Sequence, residues 1–315
     1  MSNSSPDRPL RLGTRKSPLA LAQAEEARAR LIAAHGWSET AIELVPVTAS
    51  GDRFQDRPLA EMGGKALWTK ELDAWLMAGE IDFAVHSLKD VETLRPPEIA
   101  MAAILPREDV RDVLIGAASV AALPAGARVG TSSPRRGAQL LNLRPDCRIV
   151  PFRGNVATRL GKLQAGEADA TLLAAAGLNR LGESALGTPL ATDTWLPAVG
   201  QGAIAIECRA DDRATRQFLT GIDCAASRAA VIAERALLAA LGGTCHSPIA
   251  ALAKADSEGL LLRAALLSPD GRACIEDKIH ISEGDAGRIY DFAANLLSRA
   301  APDVAMHFTG PHPLP

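Results

Sequence analysis

The segment 241–250, LGGTCHSPIA, places a cysteine in a glycine-rich polar turn between a threonine and a histidine. The chain holds five cysteines, at positions 147, 208, 224, 245 and 274, with no C-x-x-C pair. An odd, dispersed set fits neither a disulfide framework nor a zinc knuckle. Most of them read as small buried hydrophobes; the neighbours of Cys245 set it apart. Nothing else in the chain reads as its disulfide partner, a shared zinc ligand or a catalytic partner, which leaves its role open. The only adjacent base is His246, and adjacency in sequence rarely gives the geometry a nucleophile needs.

A second chemistry comes from arginines. Arg135 and Arg136 follow Ser133-Pro134, which reads as an N-cap and a first helical position. Cations in the first turn of a helix are opposed by its dipole, so the pair points to an anion that neutralises it; a solvated surface pair is the ordinary alternative. Thr131, Ser132 and Ser133 add hydroxyls beside backbone N–H groups, a seat for carboxylate or phosphate. Arg15 and Lys16 precede another helix, Arg153 lies in FRGN with Asn155 as an N-cap, Arg159 follows one turn later, and Arg180 comes after AAAGLN. Ligands of open parallel sheets bind outside the carboxyl ends of strands, and the planar arginine fork suits carboxylates or phosphates. No G-x-x-x-x-G-K-[ST] is present and GLNRLGESALG lacks dinucleotide spacing, so several carboxylates on one small molecule fit better than phosphate. AVHSLKDV (84–91) brings Lys89 and Asp90 to the same rim. An aspartate among arginines stays ionised and is suited to stabilising a cation or moving a proton. His86 reads as packing at the strand end.

The elements that carry these residues alternate. LRLGT (10–14) reads as a strand, Ser17-Pro18 opens a helix to about 34, 41–49 is a strand, 65–79 a helix and 82–87 a strand. This rhythm predicts α/β layers on a substantially parallel sheet. At 127–143 it restarts with the same Gly-Thr, short loop and Ser-Pro, implying a second α/β domain of related design. The end differs: a helix over 226–241, strand-like runs either side of SPDG, which signals a hairpin, and a helix near 285–299. The third part is therefore expected to be a smaller α+β domain with an antiparallel sheet. The glycine-bounded stretch 50–64 reads as a lid or a solvated loop. At 315 residues and 47% hydrophobic the chain can bury full cores, and a net charge of −3 with 3% aromatics argues against nucleic-acid or anionic-membrane partners. A polar start and the lack of any spanning apolar run predict a cytoplasmic protein.

Together, RLGTRKSPLALAQA, GGKALWTKEL, DFAVHSLKDV, VGTSSPRR, RGNVATRL, AGLNRLG, LPAVGQGAIAIECR and the cysteine loop resemble the porphobilinogen deaminase (hydroxymethylbilane synthase) family. The resemblance implies three domains, 8–104 with 203–221, 105–202 and 222–315, the first two like the lobes of a two-lobed periplasmic-type binding protein with the active site between them. It implies a transferase that joins four porphobilinogen molecules head to tail with loss of ammonia and releases hydroxymethylbilane by hydrolysis, in tetrapyrrole (haem-type) biosynthesis. Cys245 would carry a dipyrromethane cofactor by a thioether, in a turn whose glycines let the pyrroles approach the backbone. Asp90 would be catalytic. Lys65, Ser87, Lys89, Asp90, Thr131, Ser133, Arg135, Arg136 and Arg153 would hold the cofactor. Arg15, Ser17, Trp68, Arg153, Arg159, Arg180 and Gln201 would hold substrate, and no metal is implied. Trp68 stands where the family often has phenylalanine, and Pro134 where an aliphatic residue is commoner. The protein is expected to act as a monomer. Two other classes compete: a two-lobed carboxylate-binding protein without chemistry, and a phosphate-handling enzyme with Cys245 as thiolate.

Overall fold

A computed structural model of the chain describes residues 5–47, 69–282 and 285–310. Lys65, Trp68 and the stretch 50–64 lie outside the described residues. The chain forms two compact units, Met1–Glu108 with Ala203–Arg228, and Asp109–Gly202 with Ala229–Pro315.

In the first unit β1 (Leu10–Arg15) pairs in parallel with β2 (Ile42–Val47) on one side and β3 (Phe83–Ser87) on the other. Counting along the chain, β10 (Ile204–Arg209) inserts antiparallel between β3 and β4 (Ile99–Ile104), giving the order β2-β1-β3-β10-β4. The sheet is thus mixed rather than wholly parallel, because the returning segment runs against its neighbours. After β1 the chain turns into helix α1 (Pro18–His35): the Ser17 hydroxyl accepts from Ala20 N at 3.3 Å, and Pro18 takes the first helical position. Gly36, at φ 67°, closes the helix with its N–H on Ile32 O. Ala24, Ala27 and Leu31 of α1 pack with Leu10, Leu12, Phe83 and Ile206 of the sheet. Helix α2 (Lys70–Met77) contributes Leu72 and Leu76 to a second cluster with Ala84.

The second unit repeats this plan. Its strands are β5 (Asp112–Ile115), β6 (Arg128–Gly130), β7 (Arg148–Val150), β8 (Ala170–Ala174) and β9 (Thr188–Pro189). They lie in the order β7-β6-β8-β5-β9, with β6 parallel to β7 and β8, and β5 antiparallel to both its neighbours. Strand for strand this is the arrangement of the first unit, so the repeated Gly-Thr and Ser-Pro motifs occupy equivalent turns. Ser133 accepts from Arg136 N at 3.4 Å and opens α3 (Pro134–Leu143). A side chain at Gly130 would enter the Phe152 ring, so glycine is required where this strand ends. Helices α4 (Val156–Gln164) and α5 (Ala175–Arg180) complete the layer.

The same unit contains the expected antiparallel sheet, β11 (Ile249–Asp256), β12 (Gly259–Leu267) and β13 (Cys274–Ile281). SPDG is the β12–β13 turn, with Gly271 N donating to Ser268 O at 2.9 Å and Gly271 at φ 72°. α6 (Arg213–Thr220) belongs to the first unit, and α7 (Ala225–Ala240) and α8 (Ala286–Arg299) follow. Ala233 and Leu237 of α7 and Phe292 and Leu296 of α8 pack on Leu262 and Leu266. This layer is tied to the arginine-bearing sheet: Asn142 donates to Gly271 O at 2.8 Å, and the buried Glu234 accepts from Gly200 N and Ala253 N at 2.8 and 2.9 Å. Among the described residues no helix is long and apolar enough to cross a membrane.

Candidate functional site

In the first unit the residues singled out from sequence meet at the carboxyl ends of β1 and β3. The chain passes from β1 to β2 on one side and returns to β3 on the other, which is where open sheets of this kind leave a crevice. A cavity of about 60 Å³ there is lined by Arg15, Ser17, Gln23, Thr69, His86, Ser87 and Asp90 among others. Asp90 is presented by a single tight turn, Leu88–Asp90, directly after β3; Leu88 N donates to Ala203 O and Val91 N to Leu88 O, fixing both ends of the turn. Asp90 and Lys89 are half-buried. Ser87 exchanges hydrogen bonds of 2.8 and 3.1 Å with the buried Gln23, so the Ser87 hydroxyl is already oriented by the protein.

His86 packs at the strand end, as its sequence context implies. It is buried, with Nε2 3.4 Å from Glu207 Oε2 and no hydrogen-bond partner on that nitrogen. Burial, and then the charge of Arg95, lowers its pKa to about 4, so the ring is neutral at physiological pH. Beneath it lies a polar cluster that sequence reading missed. Arg95 donates to Asp73, Glu92 and Glu207, with closest approaches of 2.6, 2.8 and 2.7 Å, and Thr69 donates to Glu92. Burial would lower the Arg95 pKa, but the hydrogen bond to Asp73 and the charge of Glu207 raise it above the usual value. Four charged side chains from α2, β10 and the segment after Asp90 thereby fasten together.

In the second unit the arginines are distributed differently from expectation. Arg135 and Arg136 are 3% and 5% exposed, and the anion that answers them is the protein's own Asp112. Arg135 Nη1 reaches Asp112 Oδ2 at 2.7 Å; Arg136 reaches Oδ1 through Nη2 at 2.7 Å and Nε at 3.2 Å. Trp195 Nε1 adds a bond to Oδ2 at 2.8 Å and Gln201 Nε2 one to Oδ1 at 2.9 Å. Burial alone would raise the Asp112 pKa, but the two guanidinium charges and their hydrogen bonds hold it well below the usual carboxylate range. Gln201, expected to touch substrate, is fully buried and also donates to Val110 O at 2.7 Å. Asp112 itself escaped the sequence reading. Its signal was there, an aspartate heading the apolar strand DVLI, which must find partners once buried.

The remaining cations stay nearer the surface. Arg153 and Arg159 are half-buried, at and just after the turn made by Gly154 (φ 98°); Arg159 Nε donates to Gly154 O at 3.0 Å. Asn155 caps α4 by accepting from Thr158 N at 2.9 Å. Arg180, at the end of α5, donates to Gly202 O at 3.2 Å. Thr131 is buried and accepts from Ser133 N at 3.1 Å, ordering the turn that leads into Arg135.

Cys245 is exposed, on a loop ordered by its own backbone. Ser247 N donates to Thr244 O, Thr244 N to the Ser247 hydroxyl, and His246 N to the Thr244 hydroxyl, at 3.0, 3.0 and 3.2 Å. Partial covering, and then the charge of Arg153, lowers the His246 pKa, so the cysteine loop lies within the field of that arginine. The glycines before it answer to the chain itself rather than to a ligand. Gly242, at φ 65°, abuts Thr309 and Gly310, and a side chain at Gly243 would meet Leu238. The turn is glycine-rich because α7 must end tightly against its surroundings.

The second unit thus buries a cluster in which cations outnumber carboxylates. Two guanidiniums face one carboxylate, leaving a positive excess, and Arg135 Nε is buried without a hydrogen-bond partner. Within the same unit the Cys245 side chain is exposed.

The family model described as porphobilinogen deaminase, dipyromethane cofactor binding domain, matches residues 10–217, and the porphobilinogen deaminase C-terminal domain matches residues 228–293. The porphobilinogen deaminase of Sphingopyxis alaskensis is 57% identical over 309 residues, covering 96% of this chain and 98% of the relative. That of Nitrobacter winogradskyi is 49% identical over 303 residues, covering 95% and 96%. The chloroplastic enzyme of Oryza sativa is 49% identical over 273 residues, covering 85% and 76%. A TRAP periplasmic solute binding protein from Desulfovibrio salexigens superposes at TM-score 0.41 with 11% identity, over 69% of this chain and 73% of that one, too loosely to carry weight. With family models and relatives matching along nearly its whole length, the chain belongs to the porphobilinogen deaminase family.

Proposed function

We propose that Cys245 holds dipyrromethane by a thioether, and that this chain uses it to join four porphobilinogen molecules head to tail before releasing hydroxymethylbilane by hydrolysis. The observation that carries the attachment is the placement of Cys245: exposed on an ordered loop, in the same unit as Arg135, Arg136, Arg153, Arg159 and Arg180. Cys147 and Cys208 are buried and burial raises the pKa of both, Cys224 is half-buried in the other unit, and Cys274, though exposed, lies on strand β13 rather than on a loop, so none of them matches it.

Each porphobilinogen brings an acetate and a propionate, so every added ring presents two carboxylates. Arg135, Arg153, Arg159 and Arg180 are the groups to pair with them, with Thr131 and Ser133 shaping the turn and Arg136 held behind. In the first unit Arg15 and Ser17 flank Asp90 in one cavity. Arg15 would take a substrate carboxylate there, and Asp90 would accept a hydrogen bond from the substrate pyrrole N–H. As the aminomethyl C–N bond breaks and ammonia leaves, positive charge spreads into that pyrrole, and a carboxylate at its N–H stabilises it. The bound cofactor supplies the free pyrrole α-carbon at which the first new C–C bond forms, and the α-proton is lost in that step. The same Asp90 oxygens are suited to holding that proton. Lys89, on the same turn, would balance charge next to Asp90.

The reading divides the chain into 8–104 with 203–221, 105–202 and 222–315, as a cytoplasmic monomer. The two matching sheets and the separate antiparallel sheet support that division. The test is intact mass. Protein made in cells that supply porphobilinogen should exceed its sequence mass by one dipyrromethane, and Cys245→Ser should lack the increment while Cys274→Ser keeps it. An increment retained in Cys245→Ser would move the anchor elsewhere, and none in the native protein would sink the proposal.

A further inference from the structure

We propose that Asp112 is a positioning residue for the carboxylate seat of the second unit. It fixes which edge of Arg135 stays open, and it cancels one of two guanidinium charges so that the seat takes a single ligand carboxylate. The inference rests on the reading above, in which Arg135 pairs with a ligand carboxylate.

The geometry is specific about each nitrogen. Arg136 is committed on three: Nε and Nη2 to Asp112, and Nη1 to Leu172 O at 2.9 Å. Arg135 is held through Nη1 alone, which donates to Asp112 and to Leu196 O at 3.0 Å. Its Nε is buried and has no partner. A buried donor left without an acceptor is costly, and the Nε–Nη2 edge of a guanidinium is the fork that grips a carboxylate with two parallel bonds. Asp112 therefore occupies one end of Arg135 and leaves its buried Nε unanswered by the protein. Its own rotation is blocked: Trp195 fixes Oδ2 and Gln201 fixes Oδ1, and both side chains are buried. Without the Asp112 charge, two adjacent guanidiniums would attract more than one anion and lose a defined edge for either. A growing chain that must pass successive rings through the seat needs the grip limited to one carboxylate.

Asp112→Asn in the full-length protein keeps the shape and removes the charge. Two readouts follow. Inhibition by inorganic phosphate should set in at about tenfold lower concentration, since the pair now carries two uncompensated charges. Reconstitution of cofactor-free protein with porphobilinogen, followed by intact mass, should slow by about tenfold because Arg135 is no longer aimed. A lowered melting temperature with wild-type phosphate inhibition and wild-type reconstitution would give Asp112 a structural role only and overturn the proposal. If Asp112→Asn does not fold, Trp195→Phe keeps the Asp112 charge and an aromatic ring but removes the Trp195 bond to Oδ2, leaving Arg135 as its partner. Reconstitution should then slow about threefold with phosphate inhibition unchanged, and a wild-type rate overturns the proposal. Arg135→Gln measured alongside separates the two levels. Normal reconstitution of Arg135→Gln overturns the underlying reading along with this one, whereas a defective Arg135→Gln beside a normal Asp112→Asn overturns the role of Asp112 alone.

Discussion

Arg95→Met keeps an apolar stem and removes the guanidinium that three carboxylates share. The three do not lose equally. The side chains of Asp73 and Glu92 are 17% and 21% exposed, so water can take over their solvation, while that of Glu207 is 0% exposed. Glu207 accepts from Arg95 Nε at 2.9 Å and Nη2 at 2.7 Å, and its nearest other polar group is the neutral His86 ring, 3.4 Å away. The loss is therefore that of one buried carboxylate stripped of its cation, about 3–5 kcal/mol. At about 2–4 °C per kcal/mol for folded units of this size, the melting temperature should fall by about 6–20 °C. The assay is thermal unfolding from pH 5 to 8 of the wild type, Arg95→Met, Glu207→Gln and the double variant. Removing the charge along with its partner should restore part of the loss, so the double variant should melt above Arg95→Met. A single variant melting within about 2 °C of wild type, or a double variant no better than it, would refute the assignment of the cost to Glu207.

Two further outcomes test the site in the first unit. His86 has a folded pKa of about 4 against an ordinary 6.5, so between those values the unfolded chain binds the extra proton. Stability should be full above pH 6.5 and fall by about 3 kcal/mol as pH drops toward 4. His86→Gln should flatten the pH dependence of the urea midpoint across that window, and an unchanged slope would show that other groups cause it. Asp90→Asn should cut ammonia release from porphobilinogen about 10²–10⁴-fold while the mass of the bound cofactor and the melting temperature stay as in wild type; a normal rate would remove Asp90 from the chemistry.

What the sequence determines by itself is local. Ser17-Pro18 and Ser133-Pro134 start helices because a capping hydroxyl and a fixed φ act within one turn. SPDG makes a hairpin for the same kind of reason, and Asn155 caps α4 through a residue three positions away. The family motifs, read in order, also pointed to the chemistry before any geometry was known. The mixed sheets were not legible, because β10 joins β3 and β4 across roughly a hundred residues and no local pattern records that return. The charge pairing was not legible either. Arg135 and Arg136 signalled a need for an anion, but a guanidinium's need is the same whether the answer is a ligand or Asp112, 23 and 24 positions away. Nothing in the sequence marks Arg95 as the group on which Asp73, Glu92 and Glu207 converge. The bond from Gln201 to Asp112, 89 positions away, was equally hidden. Composition and spacing declare which charges a chain carries. Only the tertiary structure decides which of them face each other, because burial strengthens a few long-range pairs while water weakens the rest.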